Sequence, residues 1–239
     1  MKGCLEPIFG HRDGWQRIYF DLPGMGKTPA RDWITDSDGM LDVVLGFVDQ
    51  VIPGQSFALA GESYGGYLAR GVVYRRPETV DGLLLICPLI IPEFEKRSVP
   101  PLVVLAKDEE LLASLDPADR EEFESFIVVQ TREVWERTKE EVMSGLGVAD
   151  EAFLTKLLTE GYPLSIDVDA APAFEKPALF LLGRQDVAVG YRDAWAIVEN
   201  YPRGTFVVLD RAGHNLQIEQ PIVFNALVNE WLDRVEEGL

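Results

Sequence analysis

Histidine and cysteine are both scarce in this 239-residue chain, which carries two of each. Two cysteines, Cys4 and Cys87, cannot build a disulfide framework, and Cys87, inside the apolar run Leu83–Cys87, reads as a small buried hydrophobe. No stretch groups His, Cys and acids at metal-ligand spacing, so no metal is expected. No run of eighteen apolar residues occurs, which argues against a membrane span. The opening Met1-Lys2-Gly3-Cys4-Leu5-Glu6-Pro7 lacks an apolar stretch followed by a cleavage site, so a secretory signal is not expected, and a reducing cytoplasm fits. Basic residues are outnumbered: 22 Lys and Arg face 40 Asp and Glu, a net charge of −18. Nineteen of the acids, against eight bases, lie between Glu93 and Pro172. Such a surface repels phosphate backbones, so nucleic acid is a poor partner. Solubility accounts for the excess; a preference for neutral or cationic small molecules is the sharper reading.

What is present is an alternation of apolar β-type runs and amphipathic helical stretches in a chain that is 47% apolar. Arg17–Leu22, Ser56–Gly61, Gly82–Cys87, Ala178–Gly183 and Thr205–Leu209 read as strands. Asp36–Val51, with Asp36 as N-cap, Tyr64–Arg76, Tyr191–Asn200 and Pro221–Val235 read as helices. Strands separated by helices predict an α/β fold with a mostly parallel sheet covered on both faces. The alternation breaks at residues 92–172. Asp116-Pro117, Thr131 and Asp150 are helix starts there, ahead of Val134–Leu146 and Glu151–Glu160 among others, and no strand rhythm is evident. The expected organisation is a core of residues 1–91 and 173–239 with a helical insertion at 92–172.

The chemistry gathers around Gly61-Glu62-Ser63-Tyr64-Gly65-Gly66, between the strand at 56–61 and the following helix. A serine between close glycines on a strand-to-helix turn is the G-x-S-x-G nucleophile-elbow pattern. Serine needs a base, and the base needs an orienting carboxylate. With two histidines to choose from, His11 lies in a charged stretch early in the chain, whereas His214, in Ala212-Gly213-His214-Asn215, lies just past a strand end, where sites form in open sheets. His214 is the preferred base. Asp186, in Gly183-Arg184-Gln185-Asp186, is also past a strand end and gives the order Ser…Asp…His; Asp210, four residues before His214, is its rival. The Tyr64 N–H, which follows the serine and opens a helix, is the expected oxyanion donor. Trp135 and Phe153, on helices of the insertion, are candidate pocket residues. Gly26-Lys27-Thr28 is not a P-loop, because position 21 holds Asp21, and Gly24-Met25-Gly26 is not a dinucleotide fingerprint, because position 29 holds Pro29. No cofactor is expected.

These pieces, with Asp21-Leu22-Pro23-Gly24-Met25-Gly26-Lys27-Thr28, occur in an order that resembles the α/β-hydrolase superfamily, in its cap-bearing group of esterase-like and peptidase-like enzymes. The resemblance implies an α/β-hydrolase sheet, a helical cap at 92–172, and nucleophile, acid and base at Ser63, Asp186 and His214. It implies a serine hydrolase acting by acyl transfer on a small ester, thioester or amide. A proline-iminopeptidase-like aminopeptidase is a second possibility, in which cap acids such as Glu109, Glu110, Glu121, Glu122 and Glu124 would hold an amino terminus. A non-catalytic binding protein on the same fold is a third. Association into an oligomer is compatible with any of them. In the superfamily, further strands precede the one at 17–22, and a His-Gly loop supplies a second oxyanion N–H. Sixteen residues precede Arg17 here, with no His-Gly pair. The expectation is therefore a sheet without its first strands, and a native chain that starts upstream of Met1.

Overall fold

A computed structural model describes residues 1–238. The central sheet has four parallel strands in the order β1 (Phe57–Glu62), β2 (Val80–Ile86), β5 (Ala178–Gly183), β6 (Gly204–Leu209). A separate two-stranded parallel ladder joins β3 (Ala106–Lys107) to β4 (Val129–Gln130). The helices are α1 (Lys2–Phe9), α2 (Ser37–Val51), α3 (Tyr64–Arg75), α4 (Glu109–Ser114), α5 (Pro117–Phe126), α6 (Arg132–Thr138), α7 (Ser144–Leu146), α8 (Glu151–Glu160), α9 (Arg192–Ala196), α10 (Leu216–Glu219) and α11 (Pro221–Glu236).

The two inner strands explain the sheet. Every residue of β5 is buried, and all of β2 except Asp81. Such continuous apolar runs suit a sheet covered on both faces. Helix α11 lays Phe224, Val228, Trp231, Leu232 and Val235 into the core, and the Trp231 indole N–H donates to Pro177 O at 3.1 Å. Helix α2 starts where the sequence places it, with the Asp36 carboxylate accepting from Gly39 N at 2.8 Å.

Four readings are corrected. Arg17–Leu22 forms no ladder. Ile18, Tyr19 and Phe20 remain exposed, and Phe20 stacks on Phe47 of α2 at 4.2 Å between ring centroids. A strand needs a neighbour's N–H and C=O groups, and among the described residues none pairs with the outer side of β1. Second, residues 92–172 contain the β3–β4 ladder, too short to leave a period in the sequence. Third, the helix expected at Val134–Leu146 is α6 and α7 joined by a π-helical turn, Lys139–Met143. Fourth, the helix expected over Tyr191–Asn200 is the five-residue α9 followed by a 3-10 turn at Val198–Asn200.

The insertion carries a hydrophobic cluster of its own. Leu111, Leu112, Phe123, Ile127, Val129, Val134 and Trp135 pack together, and Ile218 of α10 joins them. α10 thus touches the insertion one turn after His214.

Candidate active site

Ser63 sits between β1 and α3 with φ 52° and ψ −118°, a strained conformation for a residue with a side chain. The strain is held from both sides. Ser63 N donates to Ile86 O at 3.0 Å, and Ser63 O accepts from Tyr67 N at 3.1 Å and Leu89 N at 3.0 Å. The turn closes because two glycines leave room for close neighbours. A Cβ on Gly61 would lie 2.4 Å from Gly65 O, and one on Gly66 would lie 2.9 Å from the Pro88 side chain. A Cβ on Gly65 would meet nothing within 4 Å, so the glycine that space demands on the helix side is Gly66. The Tyr64 N–H opens α3, where helix geometry leaves it without an intrahelical acceptor.

Asp186 lies in the turn after β5 and is fully buried. Its Oδ1 accepts from Ala188 N at 2.8 Å and Val189 N at 3.1 Å, and its Oδ2 lies 2.9 Å from His214 Nδ1. Burial works to raise the Asp186 pKa, but the His214 charge and hydrogen bond and the two backbone N–H groups hold it below the usual carboxylate range. Burial works to lower the His214 pKa, and the Asp186 charge and hydrogen bond overcome it, so the imidazole sits above its ordinary value. Asp186 thereby fixes the ring and leaves Nε2 as the free nitrogen. The loops carrying the two residues are tied: Arg184 N donates to Leu209 O at 2.9 Å and Gln185 N to Ala212 O at 3.0 Å. A Cβ on Gly183 would lie 2.1 Å from Gly213 O, so the two loops touch through backbone alone.

The rival residues lie elsewhere. Asp210 and His11 are both exposed, and neither makes a side-chain hydrogen bond to Ser63 or His214 among the described residues. Trp135 is committed to the insertion's own core, edge-on to Phe123 at 5.2 Å with the Lys139 ammonium 5.5 Å from its ring centroid. Phe153 lies against the Pro23–Gly26 loop, its ring over Gly24, while Asp150 N donates to Gly24 O at 2.8 Å.

Cys87 does more than fill space. It has a positive φ of 40°, and its thiol lies with Asp186 and His214 in a group whose ligand atoms are all within 4.8 Å of one another. The sequence hides this grouping because it is assembled from three separate strand ends. The donors suit a hydrogen-bonded pair better than a cation. Asp186 Oδ2 already holds His214, the thiol points to Gly213 O at 3.5 Å, and burial pushes the thiol well above its ordinary pKa, which keeps it neutral.

Other side chains near the site escaped the sequence reading. Glu62, the residue before Ser63, accepts from Gln217 Nε2 at 2.8 Å, and burial raises its pKa against the pull of His214. Tyr162 stacks on Tyr64 at 5.2 Å. Ser37 joins the two: its hydroxyl donates to Tyr162 O at 2.7 Å and accepts from Tyr64 OH at 2.8 Å. Arg97 donates to Ile91, Pro92 and Ala188 carbonyls at 2.7–3.0 Å, and its charge opposes protonation of His214.

A model of the alpha/beta hydrolase family matches residues 7–227. This chain belongs to the α/β-hydrolase family. As an α/β-hydrolase it is 25% identical over 237 residues to a pimeloyl-[acyl-carrier protein] methyl ester esterase of Legionella pneumophila (strain Paris), a match covering 95% of this chain and 88% of the relative. A protein of the same description from Aeromonas salmonicida is 26% identical over 215 residues, covering 87% and 81% of the two chains. Among solved structures, an alpha/beta superfamily hydrolase from Oenococcus oeni PSU-1 superposes with a TM-score of 0.87 at 26% identity, covering 98% of this hydrolase and 88% of that chain. No helix among the described residues is long and apolar enough to cross a membrane.

Proposed function

We propose that this α/β-hydrolase is a serine esterase that cleaves a small ester or thioester by acyl transfer. The observation that carries the reading is the hydrogen bond at 2.9 Å between the buried Asp186 and His214, together with a serine held at a strained positive φ. In the proposed reaction His214 Nε2 takes the Ser63 proton as Oγ attacks the carbonyl carbon. The Tyr64 N–H donates to the oxyanion that forms. Collapse of the tetrahedral intermediate expels the alcohol or thiol, which receives the proton from His214. Water, activated by the same imidazole, then releases the acid and restores Ser63. Asp186 stays ionised throughout and stabilises the imidazolium. The similarity to methyl ester esterases supports an ester over an amide. Residues 92–172 act in this reading as a cap, with Tyr162 stacked on Tyr64 of the elbow.

The test is a panel of short p-nitrophenyl esters, an acyl thioester and an N-terminally free prolyl amide, assayed with wild type and Ser63→Ala. Ester or thioester turnover that is lost with Ser63 supports the reading. Turnover confined to the prolyl amide would replace it with an aminopeptidase, and ligand binding without any turnover would replace it with a binding protein.

A further inference from the structure

Glu219 is a buried acid with three donors and, among the described residues, no basic partner. It is 5% exposed and ends α10, five residues after His214. Its Oε1 accepts from Val128 N at 2.6 Å and Val129 N at 3.1 Å, both at the β4 end of the insertion. Its Oε2 accepts from Gly213 N at 2.6 Å, the amide adjoining His214. Burial raises the Glu219 pKa, while the three N–H donors favour the carboxylate, the form in which both oxygens accept. Charge-assisted bonds of this kind are about twice as strong as neutral ones.

The neighbours of Glu219 extend the same link. Ile218 packs in the insertion's hydrophobic cluster. Gln217 O accepts from Arg137 of α6 at 3.3 Å, while Gln217 Nε2 holds Glu62, next to Ser63. Gly213 itself is pressed against the insertion: a Cβ there would lie 2.9 Å from Phe126 O and 3.0 Å from Val128 Cγ2. Three consecutive side chains of α10 therefore touch the elbow, the insertion's core, and the joint between the insertion and the histidine loop.

We propose that Glu219 is a positioning residue that clamps the His214 loop to the insertion through one carboxylate, so that the placement of His214 depends on the placement of β4. The proposal rests on the reading of His214 as the base and names how that base is held. A displacement of about 1 Å at a catalytic group can cost on the order of 10²-fold in rate. A carboxylate shared between two segments transmits such a shift where two separate loop contacts would not.

Glu219→Gln is the direct test, because the amide must turn its NH₂ toward one of the donors it now accepts from. The expected result is a folded variant, with its amide NMR fingerprint retained, whose kcat on a short ester falls roughly 10- to 100-fold while KM stays within about twofold. The downfield proton resonance of His214 Nδ1–H should shift or broaden, and Glu219→Asp should recover part of the loss. Wild-type kcat with an unchanged downfield proton would overturn the proposal. If Glu219→Gln fails to fold, hydrogen exchange in the wild type decides it: Gly213, Val128 and Val129 amides should open together, and unrelated opening rates would overturn the clamp. His214→Ala separates the two claims. If it retains turnover, the base assignment fails, and the exchange result alone judges the clamp. If it is inactive while Glu219→Gln is fully active, the clamp fails and the base stands.

Discussion

Asp186 holds His214 Nδ1 at 2.9 Å with one oxygen while its other oxygen takes two backbone N–H groups. Both oxygens of the carboxylate are engaged, and the side chain is buried. Replacing Asp186 by Asn keeps the shape but removes the charge that favours an imidazolium and lets the amide present N–H to Nδ1. On the proposed chemistry, Asp186→Asn lowers kcat/KM by about 10³–10⁴, the scale seen for that change in Ser-His-Asp enzymes. Steady-state assay of the folded variant checks this.

The same pair sets the pH response. His214 works as a base only when neutral, and Asp186 holds its pKa above the ordinary imidazole value, against burial. The acid limb of kcat/KM is therefore expected above the ordinary histidine range, and Asp186→Asn should move it down. Stability follows the sign of each shift. The depressed Asp186 pKa adds stability above its unfolded value, lost as pH falls through the folded one; the raised His214 pKa adds stability below its unfolded value, lost as pH rises through the folded one. The pair stabilises most between the Asp186 and His214 titrations, which melting temperatures across pH would trace.

The two elbow glycines that space requires make a third expectation. Gly61→Ala and Gly66→Ala should destabilise by roughly 1–3 kcal/mol and slow labelling of Ser63, because a methyl meets backbone or Pro88. Gly65→Ala should leave the melting transition nearly unchanged. Equal effects at all three positions would contradict the packing account.

Trp135 belongs to stability. Trp135→Ala removes the largest member of the insertion's cluster and should cost about 3–5 kcal/mol. Turnover per folded molecule should keep its ester preference, as read from KM across a series of acyl lengths.

The strained turn at Ser63 and the Asp186–His214 hydrogen bond fall where the sequence puts glycines just past strand ends. Chain order then separated His214 from His11. Arg17–Leu22 misled because an apolar run records what a segment would do with a neighbour, and the neighbour is not in the run. Trp135 packs edge-on to Phe123, and from sequence a helix aromatic reads alike whether it faces a pocket or the helix beside it. Glu219, Arg97 and Tyr162 were illegible for a different reason. Each has a partner far along the chain, as with Glu219 and Val128 or Arg97 and Ala188, 91 residues apart in both cases, and no local pattern encodes such a meeting.

The most direct test of the whole account is labelling by a fluorophosphonate probe, followed by peptide mapping. One adduct on Ser63, absent from Ser63→Ala and strongly slowed in His214→Ala, is the predicted result. An unlabelled wild type, or equal labelling of wild type and Ser63→Ala, would contradict it.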